Sequence, residues 1–251
     1  MSPELTNHKP PVLVLGSGRP VAVLEPGSEH RFGSRMVDLC FVFDTTGSMS
    51  DKIDGLVECM VDFVRELAGL GLDWRVSVVP FGDLTVPGDT IVANLPFVSE
   101  RAAAERMLPE MPRNHGGGND GESVLEAIRA ALGKPYRPGA VKVFIVLTDE
   151  PALEEQLTTS RIEQELLRAE VIAFVASPAL GYYRRWADVS GGAWFEIGPS
   201  LDYGAIVTTL RGLAKQLALV ASQIHTLAGG SVARYRALPS AARGAVVRKS
   251  P

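Results

Sequence analysis

The sequence predicts an α/β protein with a mainly parallel central sheet flanked by helices and an N-terminal β-hairpin extension. Three observations carry this. Short apolar runs of strand length alternate with segments whose apolar residues recur every 3.6 positions, the pattern of strand–helix–strand units. Residues 37–43 and 140–147 are almost continuously apolar, as strands covered on both faces are. Both runs end abruptly in a carboxylate, Asp44 and Asp149, with hydroxyl residues beside it.

The elements follow in order. Residues 11–15 and 21–24 are short apolar runs around Gly16-Ser17-Gly18-Arg19-Pro20 and read as a hairpin. Residues 37–43 are the first core strand. Residues 51–70 carry Ile53, Leu56, Val57, Met60, Phe63, Val64 and Leu67 on one helical face. Residues 74–81 are the next strand, and residues 90–97 a short edge strand. Residues 99–108 are helical, with Ser99 placed to cap. A glycine loop, 116–121, leads into a helix over 122–132. Residues 140–149 form a strand, 153–168 a helix opened by the solvated Glu154 and Glu155, and 171–176 a strand. A short helix over 182–189, packed through Tyr182, Tyr183 and Trp186, precedes a strand at 193–197 and a long helix over 201–228. The chain thus divides into an extension (1–35), one large domain (36–228) and a basic tail (229–251) carrying Arg234, Arg236, Arg243, Arg248 and Lys249, read as a solvated end in which Val246-Val247 could pair.

Composition narrows the function classes. With 251 residues, 46% hydrophobic and 22% charged, the chain suits one large domain with extensions. A net charge of −4 offers no basic excess for nucleic acid or an anionic membrane. Residues 1–10 lack the pattern of a secretory signal, and no run approaches the roughly 18 apolar residues of a membrane helix. Cys40 and Cys59 have no close spacing and read as buried free thiols, which fits a reducing compartment. The expected location is cytoplasmic.

Ligands of open parallel sheets bind beyond the carboxyl ends of the strands. Three segments reach that edge: Asp44-Thr45-Thr46-Gly47-Ser48, the glycine loop with Asn119 and Asp120, and Asp149. Clustered carboxylate and hydroxyl oxygens suit Mg²⁺, Mn²⁺ or Ca²⁺ and suit Zn²⁺ or Cu poorly. Asp44-x-Thr46-x-Ser48 alone could cap the following helix, but Asp149 at an equivalent strand end favours an ion. Neither Gly16–Gly18 nor Gly116–Gly118 is followed by Lys-Ser/Thr, so these are a turn and a spacer rather than phosphate cradles. Asp83 has an indirect or turn role, and His115 is an exposed loop residue.

These segments, in this order, resemble the von Willebrand factor A (vWA) domain over about residues 36–226. The resemblance rests on Asp44-Thr45-Thr46-Gly47-Ser48-Met49, on Pro80-Phe81-Gly82-Asp83, on the glycine run followed by Asn119-Asp120-Gly121-Glu122, and on Leu147-Thr148-Asp149-Glu150-Pro151. They are similar to intracellular, bacterial-type members with a metal-ion-dependent adhesion site (MIDAS) of the form Asp-x-Thr-x-Ser. The resemblance implies a Rossmann-like vWA fold. It also implies Mg²⁺ (or Mn²⁺/Ca²⁺) held directly by Thr46 and Ser48 and through water by Asp44 and Asp149. The family's loop donor, usually Thr, is here Asn119 by counting back from Glu122, or Asp120 by charge. A carboxylate at that position raises ion affinity and lowers the positive charge left to draw an acidic partner.

The function so implied is a metal-dependent protein–protein interaction module, not an enzyme. It would serve as adaptor or regulator in a cytosolic multi-protein system with an AAA+ ATPase, phosphatase, kinase or other effector, a partner carboxylate completing the coordination. The alternative is a Mg²⁺-dependent phosphatase or phosphotransferase of the haloacid-dehalogenase (HAD) type. There Thr46 stands in place of the second Asp of Asp-x-Asp-x-Thr and removes the general acid.

Overall fold

A computed structural model of the chain describes residues 12–14, 20–22, 36–50, 53–117, 121–197 and 203–239. It divides into two units, Met1–Phe32 and Gly33–Pro251. In the first, β1 (Val12–Val14) pairs antiparallel with β2 (Pro20–Ala22), Val12 opposite Ala22. This is the expected hairpin; its Gly16-Ser17-Gly18 turn lies outside the described residues.

The second unit is built on a five-stranded sheet. After β3 (Met36–Asp44) and a single 3₁₀ turn (Gly47–Met49) come α1 (Ile53–Ala68), β4 (Asp73–Phe81), α2 (Arg101–Met107), α3 (Val124–Leu132) and β5 (Val141–Leu147). Then follow α4 (Thr159–Arg168), β6 (Val171–Ser177), α5 (Gly181–Ser190), β7 (Trp194–Glu196), α6 (Tyr203–Ala228) and α7 (Val232–Ala237). The strand order is β4-β3-β5-β6-β7, and every neighbouring pair is parallel.

Alternation along β3 builds two cores. Val37, Leu39, Phe41 and Phe43 face a layer drawn from α1, α6 and α7, with Phe41 and Phe63 rings edge-to-face at 5.8 Å. Cys40 and Val42 face a layer from α3, α4 and α5. A strand buried on both faces can be apolar at nearly every position, which is why this run was so legible. Cys40 and Cys59 are both buried thiols outside any disulfide, and burial pushes the Cys40 thiol up to about 12. Among the described residues no helix is long and apolar enough to cross a membrane.

Four expectations need correction. Residues 90–97 form no strand; Ile91 and Val98 make isolated antiparallel bridges to Phe81 and Val76. Pro80 and Pro96 lack the N–H groups a ladder needs, and Lys134 Nζ takes the carbonyls of Ala93 (2.8 Å) and Leu95 (2.7 Å). Ser99 does not cap α2: Glu100 occupies that position with no side-chain cap. The helices expected from 122 and 153 begin later, at Val124 and Thr159. Between them Glu122 N donates to Pro151 O at 2.8 Å and Leu153 N to Glu122 O at 3.0 Å, and this extended pairing displaces the helical turns. Glu154 and Glu155 therefore precede α4, which Thr158 caps by accepting from Arg161 N at 3.2 Å.

The fourth concerns the tail. Gly229 and Gly230, both at positive φ, turn the chain into α7, where Tyr235 is fully buried. Arg236 donates to Ser190 O (3.0 Å), Leu167 O (3.2 Å) and Val171 O. This arginine is a structural clip and not a solvated charge. Val246-Val247 and the basic residues beyond 239 lie outside the described residues.

Candidate metal centre

The chain leaves β3 for β4 on one side and returns to β5 on the other. That reversal opens a crevice beyond the carboxyl ends of β3 and β5, the usual binding position in such sheets. Asp44 closes β3 there. Its Oδ1 accepts from Thr46 N (3.0 Å) and Thr46 Oγ1 (2.6 Å), and its Oδ2 accepts from Thr148 Oγ1 (2.8 Å). Ser48 Oγ donates to Asp149 Oδ1 at 2.9 Å, and the Thr46 and Ser48 hydroxyls lie 3.2 Å apart. Asp44, Thr46, Ser48 and Asp149 are thus brought together, Ser48 and Asp149 across 101 positions of sequence. Asp44 and Thr46 are buried, Asp149 is half-buried and Ser48 is exposed, so the cluster opens outward on the Ser48 side. Asn119 and Asp120 lie outside the described residues.

Neighbouring loops fix the first turn. Gly47 N donates to His115 O at 2.9 Å, and a Cβ on Gly47 would fall 2.6 Å from that oxygen. Asn114 binds both the backbone and the hydroxyl of Thr45. Asp89 accepts from the amides of Asp83 (3.2 Å), His115 (2.8 Å) and Gly116 (2.8 Å). Burial works to raise the Asp89 pKa, but these hydrogen bonds outweigh it and leave it lowered. Asp83 has the expected turn role, its Oδ1 accepting from Thr85 N and Oγ1. The His115 side chain is 83% exposed.

Glu122 is the residue that sequence reasoning missed. Read as a helix start, it is instead 4% exposed, and its Oε2 has no hydrogen-bond partner. Gly116, at φ +77°, leaves room beside it: a Cβ there would sit 3.0 Å from Thr46 Cβ and 3.2 Å from Glu122 Oε1. Burial, then the charges of Asp44, Asp83, Asp89 and Glu150, raise Glu122 to about 8. Asp44 is raised to about 6, first by burial, against the hydrogen bonds from Thr46 and Thr148. The only signal in the sequence was position, directly before an apolar helix at the same sheet edge.

This donor set fits a hard divalent ion. Hydroxyl and carboxylate oxygens gather, and the charged groups acting on Glu122 are all carboxylates. Among the described residues no three His, Cys, Asp or Glu side chains converge closely enough to hold a metal by themselves. An ion here would depend on hydroxyls and water, which suits Mg²⁺, an ion that keeps several waters.

A family model described as von Willebrand factor type A domain matches residues 38–178, a span that contains all four converging residues. Among solved structures the chain is similar to von Willebrand factor type A from Catenulispora acidiphila, with 19% identity and a TM-score of 0.55. The match covers 73% of this chain and 43% of that one, so this chain spans less than half of that protein's length. At such identity the likeness concerns the fold. No curated protein matches the sequence.

Proposed function

The chain belongs to the von Willebrand factor type A domain family, and from that premise we propose that it is a metal-dependent protein–protein interaction module. It acts as an adaptor or regulator in a cytoplasmic assembly and is not an enzyme. Thr46 and Ser48 hold Mg²⁺ (or Mn²⁺/Ca²⁺) directly, Asp44 and Asp149 through water, with Asn119 or Asp120 as loop donor. The ion, when bound, supplies an open coordination position for a carboxylate of another protein. An AAA+ ATPase, phosphatase, kinase or other effector would present that carboxylate.

The observation that carries this reading is the Ser48–Asp149 hydrogen bond beside the Thr46 hydroxyl. It sets the donors of two strand ends around one point at an exposed rim. Such a ligand, desolvated on docking, can dominate binding. We rank the HAD-type alternative second, because it would require Asp44 to attack. Both its oxygens accept hydrogen bonds and it is wholly buried.

A pull-down in Mg²⁺ against EDTA, followed by mass spectrometry, tests the proposal. A partner released by EDTA, and absent with Asp44→Ala or Ser48→Ala, supports it. A partner retained in EDTA removes the metal dependence.

A further inference from the structure

Asp149 lies on no regular element, because β5 ends at Leu147. Thr148 anchors it on one side, its N–H on Ala176 O at 3.1 Å and its hydroxyl on Asp44. On the other side its place opposite Ser48 depends on whatever holds the stretch that follows. Glu150, Pro151 and Ala152 are tied down in an unusual way. Tyr183 Oη donates to Glu150 O at 2.9 Å, and Ala152 N donates to Tyr182 Oη at 2.8 Å. Between them Pro151, which has no N–H to give, offers its carbonyl to Glu122 N at 2.8 Å. Adjacent residues of a helix point about 100° apart, yet both phenols close on the same three residues, one on each side of the proline.

Packing alone does not call for these hydroxyls. Trp186 already fills the space: its ring lies 5.2 Å from Tyr183, edge-to-face, and 5.5 Å from Tyr182. Its own Nε1 donates to Thr159 O at 3.1 Å. Tyr183 is fully buried, and a phenol taken out of water costs free energy unless its oxygen is bonded. A phenylalanine would supply the same apolar surface at no such cost. The hydroxyls are accounted for by what they grip.

We propose that Tyr182 and Tyr183 are positioning residues of the candidate metal centre, clamping the backbone on both sides of Pro151 so that Asp149 stands opposite Ser48. The inference deepens the proposed function and rests on it. Through the Glu122–Pro151 bond the same clamp steadies the end of the glycine loop. The segment after β5 and the segment before α3 are thereby held as one piece.

The test is calorimetric titration of the full chain with Mg²⁺ alone, for wild type, Tyr182→Phe, Tyr183→Phe and the double variant. Amide hydrogen exchange at Ala152 is followed in metal-free protein alongside. The clamp predicts about tenfold weaker Mg²⁺ binding in the double variant, the lower end of what outer-sphere partners contribute, and faster Ala152 exchange in Tyr182→Phe. Unchanged affinity with only a lower melting temperature assigns the tyrosines to packing and overturns the inference, as does unchanged Ala152 exchange. A wild type that takes up no Mg²⁺, as Asp44→Asn should not, overturns instead the metal reading on which the positioning role depends.

Discussion

Thr148 donates its hydroxyl to Asp44 Oδ2 at 2.8 Å, joining the ends of neighbouring strands through two side chains that are both wholly buried. The carboxylate is thereby fixed in orientation by β5 while its own loop holds the other oxygen. Thr148→Val keeps the volume and removes the donor. The variant should lose about 1–3 kcal/mol of stability, because a buried acceptor is left unsatisfied. Urea denaturation measures the loss; a midpoint identical to wild type contradicts the role.

The two raised carboxyls set a pH dependence. Each binds a proton more tightly in the folded chain than in the unfolded one. Their contribution is therefore fully present below the unfolded values, near 4, and is lost as pH rises through about 6 for Asp44 and about 8 for Glu122. Metal-free protein should melt at progressively lower temperature from pH 5 to pH 8. Glu122→Gln should flatten the slope above about pH 6 and reduce it below, where Asp44 still contributes, read by thermal melts in EDTA.

Gly47 leaves no room for a side chain. A methyl group there meets His115 O at 2.6 Å, so Gly47→Ala must push apart the turn that carries Thr46 and Ser48. The variant is expected to keep its far-ultraviolet circular dichroism and lose at least tenfold in Mg²⁺ affinity, in line with displaced ligand geometry. Wild-type affinity would show that the close approach has no bearing on the site.

β3 carries a carboxylate near each end, and the two are treated differently. Asp38 is buried and accepts from Arg75 Nε (3.1 Å), Arg137 Nε (2.9 Å) and Arg137 N (2.7 Å). Removing it takes from Arg75 its carboxylate and leaves Arg137 with Asp73 alone. Asp38→Ala should therefore cost about 3 kcal/mol, the lower end for a broken buried pair. Asp44→Ala, by contrast, should cost about 1–3 kcal/mol for the Thr46 and Thr148 donors it leaves unpaired, stay folded and abolish Mg²⁺ binding. Paired urea melts and titrations separate the two; equal effects on stability would erase the distinction.

Much of this was written locally. Residues 37–43 read as a covered strand because every one of them is buried, and Asp44, Thr46 and Ser48 converge because their spacing wraps one turn. Asp149 followed from topology, since parallel strands share an edge. What stayed hidden was set by distant partners. The late starts of α3 and α4 come from Glu122 pairing with Pro151 and Leu153, and the missing edge strand from Lys134 reaching Ala93 and Leu95. Glu122 looked like any acidic residue opening a helix. Arg236 looked like a tail charge because composition cannot reveal three waiting carbonyls.

A gene shortened to stop after Ala228, where a boundary drawn from helix length would fall, would encode a protein missing its own plug. The carbonyls of Leu167, Val171 and Ser190 would lose the guanidinium, and the cavity filled by Tyr235 would open to water. An affinity handle fused there would sit against exposed greasy surface and favour clumping during purification, whereas one attached beyond residue 239 leaves the closing helix in place.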